Sequence, residues 1–182
     1  MQGNAEAQYN LASKYHNGDG VIKDNIKAFE WMQKSAIQGN ATAQFNLGMM
    51  YFNGEGIPKD LILAAKWWSN SADKGFAMAQ FNLAMMYASG EGVAKDDTKS
   101  MSLLKAAASQ GLVNAQVIFG NMYAEGSDGM PQDLKIASEW YKMAADQGDT
   151  HAQFMLKKIN EGGDVVKKYT PLDEKSDPLH IR

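Results

Sequence analysis

The side chains able to do chemistry are few and scattered. Histidine occurs three times, at His16, His151 and His180, and cysteine not at all. No His-x-x-x-His pair exists, and thiolate metal sites and disulfides are excluded. The acids Asp24, Asp60, Asp96 and Asp133 recur at intervals of 36, 36 and 37 residues. A periodic carboxylate reads as scaffold, favoured at a helix N-terminus, rather than as half of an acid–base pair. The Gly-x-Gly stretches Gly18/Gly20, Gly54/Gly56 and Gly90/Gly92 invite comparison with a phosphate cradle. A phosphate loop needs Gly-x-x-x-x-Gly-Lys-Ser/Thr after a strand, and none is present, so they read as turns between helices. Trp31, Trp67, Trp68 and Trp140 could stack on bases or sugars, but their place on an apolar helical stripe assigns them to a core. No catalytic residue, metal site or cofactor is expected.

What positions these residues is a repeat. The stretch from Ala43 to Gly56 recurs from Ala79 to Gly92, differing only at Gly48/Ala84, Phe52/Ala88 and Asn53/Ser89. Gln8, Gln44, Gln80, Gln116 and Gln153 each follow an alanine, and Tyr15, Tyr51, Tyr87 and Tyr123 come seven residues after the first four. The one longer interval falls in the loop Gly126-Ser127-Asp128-Gly129, where a folded repeat tolerates insertion. Each unit reads as two helices. The first, A, is expected over about 40–52 in the second unit, with Ala41, Gln44, Leu47, Gly48 and Tyr51 on one face. The second, B, starts near the periodic Asp and turns inward Ala28/Trp31/Met32, Ala64/Trp67/Trp68, Ser100/Leu103/Leu104 and Ala137/Trp140/Tyr141. A 36-residue hairpin cannot bury both faces alone, so the units must stack.

The totals agree with a folded, non-nucleic-acid-binding chain. Of its 182 residues 45% are hydrophobic, and the net charge is −3. That is core enough for a globular domain and no basic footprint for nucleic acid. No apolar run approaches the length of a membrane span, so no membrane insertion is expected. No signal peptide is visible, and export and a cytoplasmic location are both compatible with the chain.

The pattern A-x-A-Q-x-x-L-G-x-x-Y-x-x-G-x-G-(V/I)-x-x-D-x-x-x-A-x-x-W-x-x-x-(A/S)-A-x-x-G resembles the Sel-one-like repeats, relatives of tetratricopeptide repeats. The second unit carries nearly all of it: Ala41, Ala43, Gln44, Leu47, Gly48, Tyr51, Gly54, Gly56, Ile57, Asp60, Ala64, Trp67, Ala72 and Gly75. Leu103 replaces the usual Trp in the third unit, and Phe119 the usual Leu in the fourth; both keep an apolar core. The resemblance implies an all-α, right-handed α-solenoid of about four and a half repeats and a role in binding other proteins. The units are expected at 3–39, 40–75, 76–111 and 112–148, with a partial unit at 149–160 and a non-helical tail at 161–182.

The ends raise two expectations. Gln2-Gly3-Asn4-Ala5 repeats Gln38-Gly39-Asn40-Ala41, so the chain either starts at a unit edge or is cut from a longer solenoid or stripped of a leader. The tail carries Leu172, Leu179 and Ile181 in a polar setting. It is expected to cap the open end of the last helix or to mediate self-association.

One set of residues is not explained by packing alone. Opposite the expected core face of helix A, or at its flank, lie Tyr9, Asn10 and Ser13, then Phe45, Asn46 and Met49, then Phe81, Asn82 and Met85, and finally Ile118 and Asn121. A face meant only for water would carry Lys and Glu. Asn offers both a donor and an acceptor to a peptide backbone, and Met is an adaptable apolar contact. The alternative is that Asn10, Asn46 and Asn82 are repeat consensus, bonding the next helix. The set is expected to line the concave groove of an adaptor or scaffold that binds an extended segment or helix of another protein. An immunity or inhibitor protein for a toxin or effector enzyme is a second reading, and an accessory domain of a larger enzyme a third.

Overall fold

The computed structural model describes residues 3–126 and 131–162 and contains nine α-helices and no strand among them. Helices α1 (Ala5–Asn17), α3 (Ala41–Asn53), α5 (Ala77–Ser89), α7 (Val113–Glu125) and α9 (Thr150–Asn160) are the A helices. Helices α2 (Asn25–Ile37), α4 (Leu61–Ala72), α6 (Asp97–Ser109) and α8 (Leu134–Ala145) are the B helices. The fold is thus the all-α repeat of helix pairs expected from the sequence. The expected tail contacts fall at 163–182, outside the described residues.

Local chemistry sets every boundary. The periodic acids cap the B helices: Asp24 Oδ1 accepts from the backbone N–H of Ile26 and Lys27, Asp60 from Leu63, Asp96 from Lys99 and Asp133 from Lys135 and Ile136. Each cap satisfies helix donors that have no partner within the helix. The same aspartates also close the turn, their own N–H groups donating to Tyr15, Tyr51, Tyr87 and Tyr123 carbonyls at 2.8–2.9 Å. Among the A helices, Asn4, Asn40 and Asp149 cap in the same way, whereas α5 and α7 follow Phe76 and Leu112 with no side-chain cap.

The two glycines of Gly-x-Gly differ in purpose. Gly54 ends α3 in the left-handed conformation, its N–H donating to Met50 O. Gly56, at φ +75°, touches the preceding repeat: a Cβ there would lie 2.6 Å from the carbonyl oxygen of Asn25.

The described residues fall into two compact units, one ending at residue 104 and the other beginning at residue 105. In the first, α2 packs between α1 and α3, and α4 between α3 and α5. Ala12, Ala28, Met32, Ala36, Ala43, Leu47 and Met50 form a buried cluster there, flanked by Tyr9, Trp31, Tyr51 and Trp67. In the second, α8 packs between α7 and α9 around Ala124, Ala137, Tyr141, Ala144 and Ala152.

Each helix B inserts one large residue: Met32, Trp68, Leu104 and Tyr141 are all buried. The residue before it, Trp31, Trp67, Leu103 or Trp140, is only half-buried. Trp68, not Trp67, is therefore the deep anchor of the second repeat. Its indole N–H donates to Phe45 O at 3.1 Å.

The recurrent Gln also has a definite task. Gln44, Gln80, Gln116 and Gln153 donate from Nε2 to the carbonyls of Ala36, Ala72, Ala108 and Ala145, near the end of the preceding helix B. Each amide ties one repeat to the next by satisfying a terminal carbonyl.

Candidate protein-binding face

The outward-facing surface of the A helices in the first unit is built by repetition. Asn10 and Asn46 occupy the same repeat position on α1 and α3, and Ser13, Met49 and Met85 another on α1, α3 and α5. Asn10 is exposed; Asn46, Ser13, Met49 and Met85 are half-buried, as is Tyr9, which packs against the core cluster. Among the described residues, no hydrogen bond engages the carboxamide of Asn10 or Asn46.

Other members of the expected set lie deeper. Phe45 is 7% exposed and Phe81 only 2%. The Phe45 ring rests 5.1 Å from Phe76 and 6.5 Å from Trp68, centroid to centroid. Helix A is therefore buried around most of its girth, because helices and N-cap residues of adjacent repeats approach it from more than one side. Asn82 is 5% exposed, and its Nδ2 donates to Met49 Sδ at 3.4 Å. Here the bond runs back to the preceding helix A, a packing role of the kind weighed for these asparagines. Phe45, Phe81 and Asn82 thus lie beneath the face rather than on it.

In the second unit Ile118 is half-buried and Asn121 buried. Asn121 Oδ1 accepts from the Tyr141 hydroxyl at 2.7 Å, and His151 Nε2 lies 3.4 Å from the same oxygen. Burial, and secondarily the Glu125 carboxylate, holds the Tyr141 phenol well above its usual range. It stays protonated and serves as a donor, so Asn121 is occupied by its own neighbours.

The rim asparagines are engaged as well. Asn17 Nδ2 donates to Asp19 Oδ2 and Asn53 Nδ2 to Glu55 Oε1, at 3.2 and 2.9 Å. The sequence carried a signal for this, since both acids stand two residues on, inside Gly-x-Gly. Chemically, the face offers amide groups, thioethers and a tyrosine ring, with the exposed Glu6 and Lys14 of α1 as its charged neighbours. Among the described residues no group of three or more His, Asp or Glu could hold a metal ion, and no helix is long and apolar enough to cross a membrane.

The Sel1 repeat family model matches residues 5–40, 41–76, 77–112 and 114–149. None of the curated proteins matches the chain. Among solved structures, c5321, a protective antigen of uropathogenic Escherichia coli with an SLR fold, superimposes with a TM-score of 0.82 at 38% identity. The match covers 90% of this chain and 35% of that one. A Sel1 repeat protein from Oxalobacter formigenes gives a TM-score of 0.79 at 33% identity, over 88% of this chain and 66% of that one. One from Klebsiella pneumoniae gives 0.57 at 26%, over 89% and 77%. This chain therefore spans about a third of the first relative's length and just under two thirds of the second's. Four repeats matched in register, on helix pairs whose caps, turns and interlocking side chains recur with them, place the chain in the Sel1 repeat family, whose members generally serve as protein-interaction modules.

Proposed function

We propose that this chain is a non-catalytic docking module that holds a segment of another protein against the A helices of its first unit. The observation that carries this reading is the pair of unengaged carboxamides, Asn10 and Asn46, at one repeat position on successive A helices. Each can take a backbone C=O and a backbone N–H at once. Tyr9, Met49 and Met85 flank them as apolar contacts. Phe45, Phe81 and Asn82 support the face from beneath, and Asn121 does the same in the second unit. Glu6 and Lys14 are opposite in sign and form no cluster of one charge, so binding depends weakly on salt.

The test is a photo-crosslinking residue at Thr42, one turn before Asn46 on α3, with one at the exposed Glu30 on α2 as control, in extract of the source organism. The reading expects a specific adduct from position 42 that is lost in Asn10→Ala/Asn46→Ala and in Met49→Glu/Met85→Glu, with unchanged circular dichroism. Equal adducts from both positions, or variants that crosslink as wild type does, would move the site to another surface.

A further inference from the structure

The first unit carries two methionine doublets one repeat apart, Met49-Met50 and Met85-Met86. The two members of each doublet have different surroundings. Met50 and Met86 are each 3% exposed and belong to the core. Met49 and Met85 are half-buried and reach the outer face. Met49 also has a polar neighbour: its sulfur accepts a hydrogen bond from Nδ2 of the buried Asn82. A thioether is a weak acceptor, so a buried amide N–H aimed at one is poorly satisfied. A sulfoxide oxygen on that sulfur would be a strong acceptor for the same N–H after a small rotation of the Met49 side chain.

We propose that Met49 and Met85 form a methionine-oxidation site that turns the apolar part of this face polar under peroxide, with Asn82 receiving the new oxygen of Met49. This rests on the docking face described above for its functional consequence but not for its chemistry. The sulfur lone pair attacks one oxygen of hydrogen peroxide, and the O–O bond breaks as the S–O bond forms. The thioether loses two electrons, the other oxygen leaves as hydroxide, and the proton on the transferred oxygen passes to it, leaving sulfoxide and water. Oxidation of a core methionine inserts a polar group among apolar neighbours and disrupts packing. At Met49 the polar group meets a donor already in place, so the fold survives the modification. The consequence falls on the partner, whose apolar side chains lose their two thioether contacts.

The experiment treats the folded full chain, in a Met143→Leu background that removes the exposed methionine of α8, with hydrogen peroxide. Peptide mass mapping follows each site. Met49 and Met85 are expected to gain one oxygen roughly tenfold faster than Met50 and Met86 while helical circular dichroism is unchanged. Oxidised wild type is expected to lose fewer degrees of Tm, relative to its own reduced form, than oxidised Asn82→Ala does. Equal rates at all four methionines, or loss of helicity before modification, would overturn the site. An equal Tm loss in Asn82→Ala would remove Asn82 from it. For the functional arm, crosslinking through position 42 is repeated after peroxide, each protein being compared with its own yield before treatment. That ratio should fall in wild type and not in Met49→Leu/Met85→Leu; an equal fall in both would sever oxidation from docking. Should no adduct form even before peroxide, the docking face fails while the mass map still decides the oxidation chemistry.

Discussion

Gly48 on α3 exists to admit Trp68 from α4: a Cβ on Gly48 would lie 2.4 Å from Cδ1 of the indole and 2.5 Å from Nε1. The fourth repeat makes the same fit, where a Cβ on Gly120 would lie 2.5 Å from Cε1 of Tyr141. Where helix A carries alanine instead, at Ala12 and Ala84, the matching residue of helix B is Met32 or Leu104, with no rigid ring. At these positions glycine is matched with an aromatic and alanine with an aliphatic in all four repeats. Size is thus conserved across the pair, as close packing requires.

Gly48→Ala is therefore expected to destabilise the chain by roughly 1–3 kcal/mol, the usual range for overpacking. Trp68→Leu in the same molecule should recover part of that loss by recreating the Ala84/Leu104 combination. Urea denaturation of the two single variants and the double gives the coupling energy directly. Strict additivity of the two changes would contradict the size-matching argument.

Trp68→Ala should cost roughly 3–5 kcal/mol, as buried aromatics do. It also leaves the Phe45 carbonyl without its indole donor. Trp67→Ala, at a half-buried position, should cost less than half as much. The same urea series decides it, and comparable losses would mean that the two tryptophans share the core equally.

These contacts show which parts of the molecule were legible in its sequence. Helix pairs, stops and caps were, because Gly, Asp and the small residues act on the backbone of their own repeat and recur at its period. The depth of Phe45 and Phe81 was not. A helical wheel orders residues around one axis and finds a single apolar side, but α3 is enclosed by α2 and α4, and Phe76 from the next repeat closes over Phe45. For Asn82 a bond to another helix was one of two readings, but its partner Met49 was hidden, as was the Tyr141 partner of Asn121, since both lie on other helices. Gln44 was visible as a repeat marker, yet its bond to Ala36 emerges only once the turn between α2 and α3 has formed.

Gln44 also retains a defect that a single change should repair. Among the described residues its Oε1 is buried with no hydrogen-bond partner. In the first and fourth repeats the equivalent oxygens, of Gln8 and Gln116, accept from Gln38 and Gln147 at 2.6 and 2.9 Å. The second repeat has Lys74 at that place, and its amine donates to the Gly39 carbonyl instead. Lys74→Gln should supply the missing donor and stabilise by about 1 kcal/mol, the net value of one hydrogen bond. A Tm equal to or below that of wild type would show that the Lys74–Gly39 bond matters more.

Acid should loosen the caps of α2 and α6. The Asp24 carboxyl is held below its ordinary value of 3.8 chiefly by the backbone N–H of Lys27, and Asp96 likewise by that of Lys99. A lowered folded-state value means that the contribution is fully present above pH 3.8 and is lost as pH falls through the folded value. Asp24→Asn/Asp96→Asn keeps a side-chain oxygen for the cap but removes the titration. It should be less stable than wild type near neutrality, converge on it as the pH falls and decline less steeply below pH 4, as Tm against pH would record. Parallel acid limbs for the two proteins would assign acid unfolding to other carboxylates.

One repeat position separates burial from sequence. Phe45 and Phe154 occupy equivalent places on α3 and α9, each directly after an Ala-Gln pair, yet Phe45 is 7% exposed and Phe154 56%. The difference lies in their surroundings. Phe45 stacks on Trp68 from its own helix B and on Phe76 from the next repeat, whereas α9 is followed by no helix B among the described residues. Phe45→Ala should therefore cost roughly 3–5 kcal/mol through lost burial and the cavity left behind. Phe154→Ala should stay within about 0.5 kcal/mol, as surface changes do. Because stability in repeat arrays is carried by neighbouring units, the Phe45 variant should lose hydrogen-exchange protection first in α3, α4 and the start of α5. A large loss in Phe154→Ala would reveal that another part of the chain covers α9.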